Sequence, residues 1–294
     1  MNPKTHESLC VLVNSCDKYD DLWKPFFELM AINWPDLKYP IYLNTETKEF
    51  ICSIGTREVT ALHCPDPSAA WSERLYQSLK RIPEEYVLML MDDYFLVDKV
   101  KSSEIDSLLE WMKADKKIAN VVLYSVGSHG TVSESNPRVI LLDKKAPNLV
   151  TCCTAAIWRK EILISLIRRY ESPWEFEEAG TQRAYKKDWK HYALSPEGVA
   201  EHGLIYPFRL APVHGIGVLQ GKWGFNNKAL FHRFGIEADF SKRESWSSYE
   251  EVQTYFSERA KQNEEENPLY KRVFHRILPD AAVGIVRRLR RKSR

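Results

Sequence analysis

Short apolar runs alternate along the first half of the chain with segments whose apolar residues recur every three to four positions. "LCVLVNS" (9–15), "YPIYLNTE" (39–46) and "VLMLM" (87–91) read as strands. Between them, Leu22 to Ile32 predicts a helix in "DDLWKPFFELMAINW", with Pro25 near its first turn. "SAAWSERLYQSLKRI" (68–82) sets Leu75, Leu79 and Ile82 on one helical face. "SSEIDSLLEWMKAD" (102–115) spaces Ile105, Leu108, Leu109 and Met112 in the same way, behind a serine start, and "IANVVLYS" (118–125) is a fourth strand. This β-α-β-α-β-α-β order predicts a parallel, right-handed, doubly wound sheet over residues 8–125.

The pattern then loosens. "RVILLD" (138–143) and "NLVTCCTAAIWR" (148–159) read as antiparallel strands, "KEILISLIRRY" (160–170) as a helix, and "SPWEFEEAGTQRAYKK" (172–187) opens another. Residues 191–223 are short strands and Gly-rich turns suited to a loop-built site. Two helices close the chain, around 247–262 and 267–292. No internal repeat or low-complexity linker interrupts it, so the organisation expected is one domain over 1–240 and a helical extension over 241–294.

Composition narrows the class. A chain of 294 residues with 44% hydrophobic content buries a sizeable core, which excludes a disordered protein. Its formal net charge is only +2, yet the last eight residues, "RRLRRKSR", hold six positive charges and no negative ones. The remainder is mildly acidic, an ordinary surface and no nucleic-acid-binding face. The six cysteines lack CxxC or metal-finger spacing and read as free thiols in a reducing compartment. Cys152 and Cys153 are expected on opposite faces of one strand. "MNPKTHESLC" has no signal-peptide core, and no apolar run reaches the ~18 residues of a spanning helix, which predicts a cytoplasmic protein.

The chemistry concentrates where "YVLMLMDDYFLVD" (86–98) runs a buried strand into two adjacent carboxylates, Asp92 and Asp93. Such a pair is tolerable at a strand's C-terminal edge, where solvent, a cation or a basic side chain meets it. In open α/β sheets ligands bind at that edge. There is no GxGxxG and no Walker A loop.

An α/β half whose central strand ends in Asp-Asp, followed by a mixed half, resembles the GT-A glycosyltransferases over about residues 8–225. The resemblance implies a GT-A-like fold, with a nucleotide-binding parallel or mixed central sheet flanked by helices. Residues 8–125 would form the nucleotide-binding half and 126–240 the acceptor half. Asp92-Asp93 is similar to the family's DxD signature, with Met91 in place of the first aspartate. It implies Mn²⁺ or Mg²⁺ against a nucleoside-diphosphate sugar, with Asp93 as direct ligand and Asp92 acting through water or on the donor. By the same resemblance the nucleotide pocket takes Asn14, Asp17, Asn44, Trp71 and Arg74. The base of an inverting transfer would be Glu177, with Glu175 next, although "SPWE" also fits a capping box that gives Glu175 a structural role. "PVHGIGVLQGKWG" (212–224) is similar to a late family element, which would make His214 a third metal ligand and Lys222 a diphosphate contact.

The activity implied is transfer of a sugar to a glycan or lipid-linked glycan in surface-polysaccharide synthesis. A nucleotidyltransferase and a non-catalytic GT-A-like scaffold are the alternatives. In "LPDAAVGIVRRLRRKSR" (278–294), apolar positions on one side of a basic helix suit an anionic membrane, and so a place on the cytoplasmic face of the plasma membrane.

Overall fold

The computed structural model describes residues 8–66, 68–125 and 127–266. Its strands are β1 (Leu9–Asn14), β2 (Ile41–Thr45), β3 (Ser53–Ile54), β4 (Arg57–His63), β5 (Tyr86–Met91), β6 (Ile118–Val122), β7 (Gly130–Ser133), β8 (Asn136–Leu142), β9 (Ala156–Arg159) and β10 (Lys190–Leu194), with a small pair β11 (Val218–Leu219) and β12 (Lys222–Trp223). The helices are α1 (Asp20–Asn33), α2 (Trp71–Arg81), α3 (Ser102–Ala114), α4 (Lys160–Leu166), α5 (Pro173–Glu175), α6 (Thr181–Tyr185), α7 (Pro196–His202), α8 (Ala211–His214), α9 (Asn227–Phe234) and α10 (Tyr249–Glu266).

The first ten strands form one sheet in the order β3-β4-β2-β1-β5-β9-β6-β10-β8-β7. It is the large mixed α/β sheet flanked by helices that the resemblance implies. Strands β4, β2, β1 and β5 run parallel. All six residues of β1 and five of the six in β5 are buried, as expected of strands covered on both faces. From β1 the chain builds β2 and β4 on one side and returns to place β5 on the other. The crevice between the C-terminal ends of β1 and β5 is therefore a topological switch point.

Four expectations are corrected. The parallel sheet over 8–125 is broken, because β9 inserts antiparallel between β5 and β6. A strand, β4, follows β2 where no strand was expected; it is an edge-side strand burying only Val59 and Leu62, so its sequence carries little apolar signal. Of "NLVTCCTAAIWR" only Ala156–Arg159 is strand, and Cys152 and Cys153 lie in the irregular segment before it. The stretch 191–223 also holds α7, which carries its own Ser195 cap.

The late segments pack onto the first half through aromatics. Phe95, just beyond β5, stacks on Trp223 (6.2 Å between ring centres) and meets Phe231 edge-on (5.2 Å), and Phe240 covers Trp223 at 5.1 Å. Each fully buried ring of this kind contributes about 2–3 kcal/mol through apolar burial. Residues 243–246 join the same body: Trp246 N–H donates to the Trp223 carbonyl and Trp223 N–H to that of Glu244. The expected boundary at 240 thus cuts through packed structure. Residues 267–294, with the final expected helix and the basic tail, lie outside the described residues. Among the described residues no helix is long and apolar enough to cross a membrane.

Candidate active site

Asp92 and Asp93 follow β5 at the switch point. Asp92 is buried, and its Oδ2 accepts from Ser15 Oγ (2.5 Å), which itself accepts from Trp23 Nε1 (2.6 Å). Asp93 is half-buried, and its Oδ2 accepts the Val218 N–H (3.1 Å). Burial, and then the neighbouring Asp93 charge, push the Asp92 carboxyl well above its usual range. Burial pushes Asp93 up to about 6. Two carboxylates held this way favour a cation beside them.

The protein supplies one cation that the sequence did not reveal. Arg243 clamps the buried Asp21 with two hydrogen bonds (Nε–Oδ2 2.7 Å, Nη2–Oδ1 2.5 Å) and lies over the Tyr19 ring at 4.6 Å. Its charge acts on both Asp92 and Asp93 and lowers each. Because it sits in an ordinary charged run, "SKRES", nothing short of the fold could pair it with carboxylates 150 positions away.

The expected nucleotide contacts fall at one end of the sheet and divide by duty. Asn14 and Asn44 are fully buried and bonded to each other (3.0 Å). Asn14 also donates to the Leu90 carbonyl, and Ser78 Oγ donates to Asn44 Oδ1. They tie β1, β2, β5 and α2 together. Asp17 accepts from Thr45 Oγ1, Thr47 N and Oγ1, and Lys48 N. Burial would raise its carboxyl, but the bonds from Thr47, Lys48 and Thr45 outweigh that and hold it well below the carboxylate range. Asp17 is therefore a loop fastener. Asp17→Ala should lower stability by about 2 kcal/mol in urea titration, the scale of hydrogen bonds to a charged acceptor. Unchanged stability would return it to the list of ligand contacts.

Trp71 and Arg74, at the start of α2, keep unspent donors. Trp71 Nε1 and Arg74 Nε are buried without a hydrogen-bond partner, while Arg74 Nη1 pairs with Glu46 Oε1 at 3.2 Å. Buried donors are usually satisfied. Asn33 Nδ2, Trp158 Nε1 and Trp223 Nε1 are unpaired in the same way, so it is their place at the sheet edge that makes the Trp71 and Arg74 donors candidate contacts.

In the second half of the chain, Ser172, Pro173 and Glu175 form the capping box expected: Glu175 N–H donates to Ser172 Oγ (3.3 Å) and Ser172 N–H to Glu175 Oε2 (2.8 Å). Glu175 is exposed, and these bonds hold its carboxyl low. The helix then opens into a π turn, Phe176–Gly180, a feature frequent at functional sites. That turn carries Glu177 inward, where the Cys153 N–H donates to its Oε1 at 2.6 Å. Burial pushes the Glu177 carboxyl up despite that bond. Tyr94 hydroxyl donates to the Cys153 carbonyl (2.9 Å) and feels the charges of both Asp93 and Glu177. Glu177 and the aspartate pair thus face one region around Tyr94.

The late loop is placed differently from expectation. Gly217 packs so tightly on Asp93 that a Cβ there would lie 2.9 Å from the Asp93 carbonyl oxygen, and its φ of +104° also demands glycine. Asn227 fixes it by accepting the Gly217 N–H (2.8 Å) and donating to its carbonyl (2.6 Å). His214 instead lines a separate groove with Arg209 and Val97. Lys222 pairs with Glu244 (2.5 Å) over the Trp246 ring. Among the described residues no three His, Cys, Asp or Glu side chains gather to hold a metal ion, so Asp92, Asp93 and His214 make no three-ligand centre. The pair does fit a hard divalent cation bound by one or two carboxylates and completed by substrate phosphates.

No protein-family model and no curated protein matches the sequence. Solved structures similar in fold include the S. aureus TarS 1–349 complex with UDP-GlcNAc, at 11% identity and a TM-score of 0.43, over 90% of this chain and 75% of that one. The mannosyltransferase PcManGT from Pyrobaculum calidifontis, with GDP-Man and Mn²⁺, matches at 13% identity and 0.41, over 66% of this chain and 56% of that one. A UDP-glucose pyrophosphorylase with UDP-glucose matches at 10% and 0.42, over 64% and 90%. The match to S. aureus TarS 1–349 itself (12% identity, TM-score 0.43) takes in 66% of this chain and 63% of that one. These likenesses span glycosyl and nucleotidyl transferases and do not choose between them.

Proposed function

We propose that the protein is a glycosyltransferase of the GT-A kind, moving a sugar with inversion from a nucleoside-diphosphate donor to a hydroxyl of a glycan or lipid-linked glycan. The observation that carries the reading is the Asp92–Asp93 pair at the β1/β5 switch point, with Arg243 beside it. A bound Mn²⁺ or Mg²⁺ would neutralise the departing diphosphate, held by Asp93 and steadied by the buried Asp92. Trp71 Nε1 and Arg74 Nε offer the donor two unspent hydrogen bonds. Glu177, kept basic by burial, takes the acceptor hydroxyl's proton. Attachment to the cytoplasmic face of the membrane by the basic tail belongs to the same proposal.

The test is a thermal-shift panel of nucleoside diphosphates and their sugars, with and without Mn²⁺. A cognate donor at a hundredfold its Kd stabilises the fold by about 2.7 kcal/mol, and the gain should need the metal. Incubation with the stabilising sugar nucleotide should release nucleoside diphosphate. Formation of pyrophosphate from a nucleoside triphosphate would make the enzyme a nucleotidyltransferase instead, and no shift with any nucleotide would sink the reading.

A further inference from the structure

Beside the aspartate pair lies an open groove of about 1030 Å³ that the donor reading leaves unused. Both of its walls are joined to the neighbourhood of Asp93 along the chain. One continues from Asp93 through Phe95 to Val97 and Asp98, held by the Val97 N–H bond to the Pro207 carbonyl (2.9 Å). Four residues of extended chain separate Val97 from Asp93, at most about 14 Å. The other wall runs from Arg209 through His214 to Ile216, the neighbour of the glycine packed on Asp93. At Ile216 the groove comes within one residue of the glycine packed on Asp93.

Its lining is cationic and apolar at once. Lys99, Lys101, Arg209 and Arg233 face it against a single carboxylate, Asp98. Lys99 is partly spent on the Ile32 carbonyl, and Lys101 on the His202 carbonyl and the Glu104 carboxylate (3.5 Å). Arg209 and Arg233 are exposed, and no hydrogen bond or ion pair engages either among the described residues. Between the charges stand Val97, Leu204, Pro207, Val213, Ile216 and Leu230. A neutral glycan would use none of the positive charge, and an inorganic anion would leave the apolar wall wet. An amphiphile with a phosphate at its polar end satisfies both.

We propose that this groove binds the acceptor, and that the acceptor carries a phosphate or diphosphate joined to an apolar chain. The assignment rests on the glycosyltransferase reading for the word acceptor. The groove's ligand chemistry stands on its own residues.

Binding is measured on the full chain in EDTA, so that no metal-held diphosphate at Asp93 contributes, with farnesyl diphosphate as the probe. Farnesol and inorganic pyrophosphate serve as the half-ligands. Farnesyl diphosphate should bind the wild type, and at least tenfold less tightly to R209A/R233A. Each half-ligand should bind the wild type at least tenfold less tightly than the whole probe. The variant keeps the basic tail, so binding there cannot produce the difference. Because neither arginine is hydrogen-bonded or ion-paired, and Arg233 only lies over the neighbouring Phe234 ring (5.0 Å), the variant should melt close to the wild type and retain its stabilisation by nucleotide with Mn²⁺. Equal affinity of the two proteins for farnesyl diphosphate would overturn the groove assignment, and pyrophosphate binding as tightly as the probe would overturn its apolar half. If no nucleotide stabilises even the wild type, the glycosyltransferase reading fails, a result separate from either groove outcome.

Discussion

Asp93→Asn should remove turnover, by at least about 10³-fold, and leave a protein that is more stable than the wild type near neutral pH. The two effects share one cause. Asparagine is nearly isosteric and its Oδ1 can still accept the Val218 N–H, so the loop that packs Gly217 on this residue stays in place. What disappears is a negative charge held beside a second one, with Asp92 buried behind it. That charge is what a cation and a departing diphosphate require, and without them it only costs stability.

The sign of the pH effect follows from linkage. The folded state holds the Asp93 proton more tightly than the unfolded chain does, with the carboxyl raised from 3.8 to about 6. Its contribution to stability is therefore fully present below the unfolded value and is lost as pH climbs through the folded one. Over that window the wild type should lose about 2–3 kcal/mol from this group. Asp93→Asn should lack that loss, and Asp92, freed of its neighbour's charge, should ionise more readily. Urea titrations from the acid side to neutrality would show it. An Asp93→Asn protein with near-normal turnover would rule out the metal role, and one that is active and no more stable would rule out the electrostatic account as well.

How much of this was legible in the sequence depends on how local each signal is. The β5 run and its Asp-Asp end could be read because burial on both faces leaves a continuous apolar string and the charges break it. The Ser172–Glu175 capping box could be read because its two bonds span three residues. Direction could not: "AAIWR" looks the same whether β9 runs with β5 or against it. Asn14, Asn44 and Asp17 stand at the expected edge but have other duties, since only the fold shows that their hydrogen-bonding capacity is already used by one another and by Thr45, Thr47 and Lys48. Arg243 was illegible for the opposite reason. Its partners, Asp21 and the aspartate pair, come from segments that meet only when Trp223 and Trp246 fold the late chain back.

Glu177→Gln should lower kcat by about 10²-fold or more while donor affinity holds, because the residue serves the acceptor's proton and not the nucleotide. Glutamine keeps the shape and can still accept the Cys153 N–H, so melting should change little. The wild-type rate should fall on the acid side as Glu177 takes up a proton, at a pH above that of an ordinary glutamate because burial raises its carboxyl. In the variant that acid limb should vanish from whatever rate remains. Glu175→Gln is the control: its carboxylate closes the capping box on the exposed helix start, where glutamine serves nearly as well. It should melt close to the wild type and leave the pH profile alone. A larger kinetic loss from Glu175→Gln at unchanged stability would mean the base is the wrong carboxylate. If both variants turn over normally, no base in this turn is needed, and a transfer with retention of configuration replaces the inverting one.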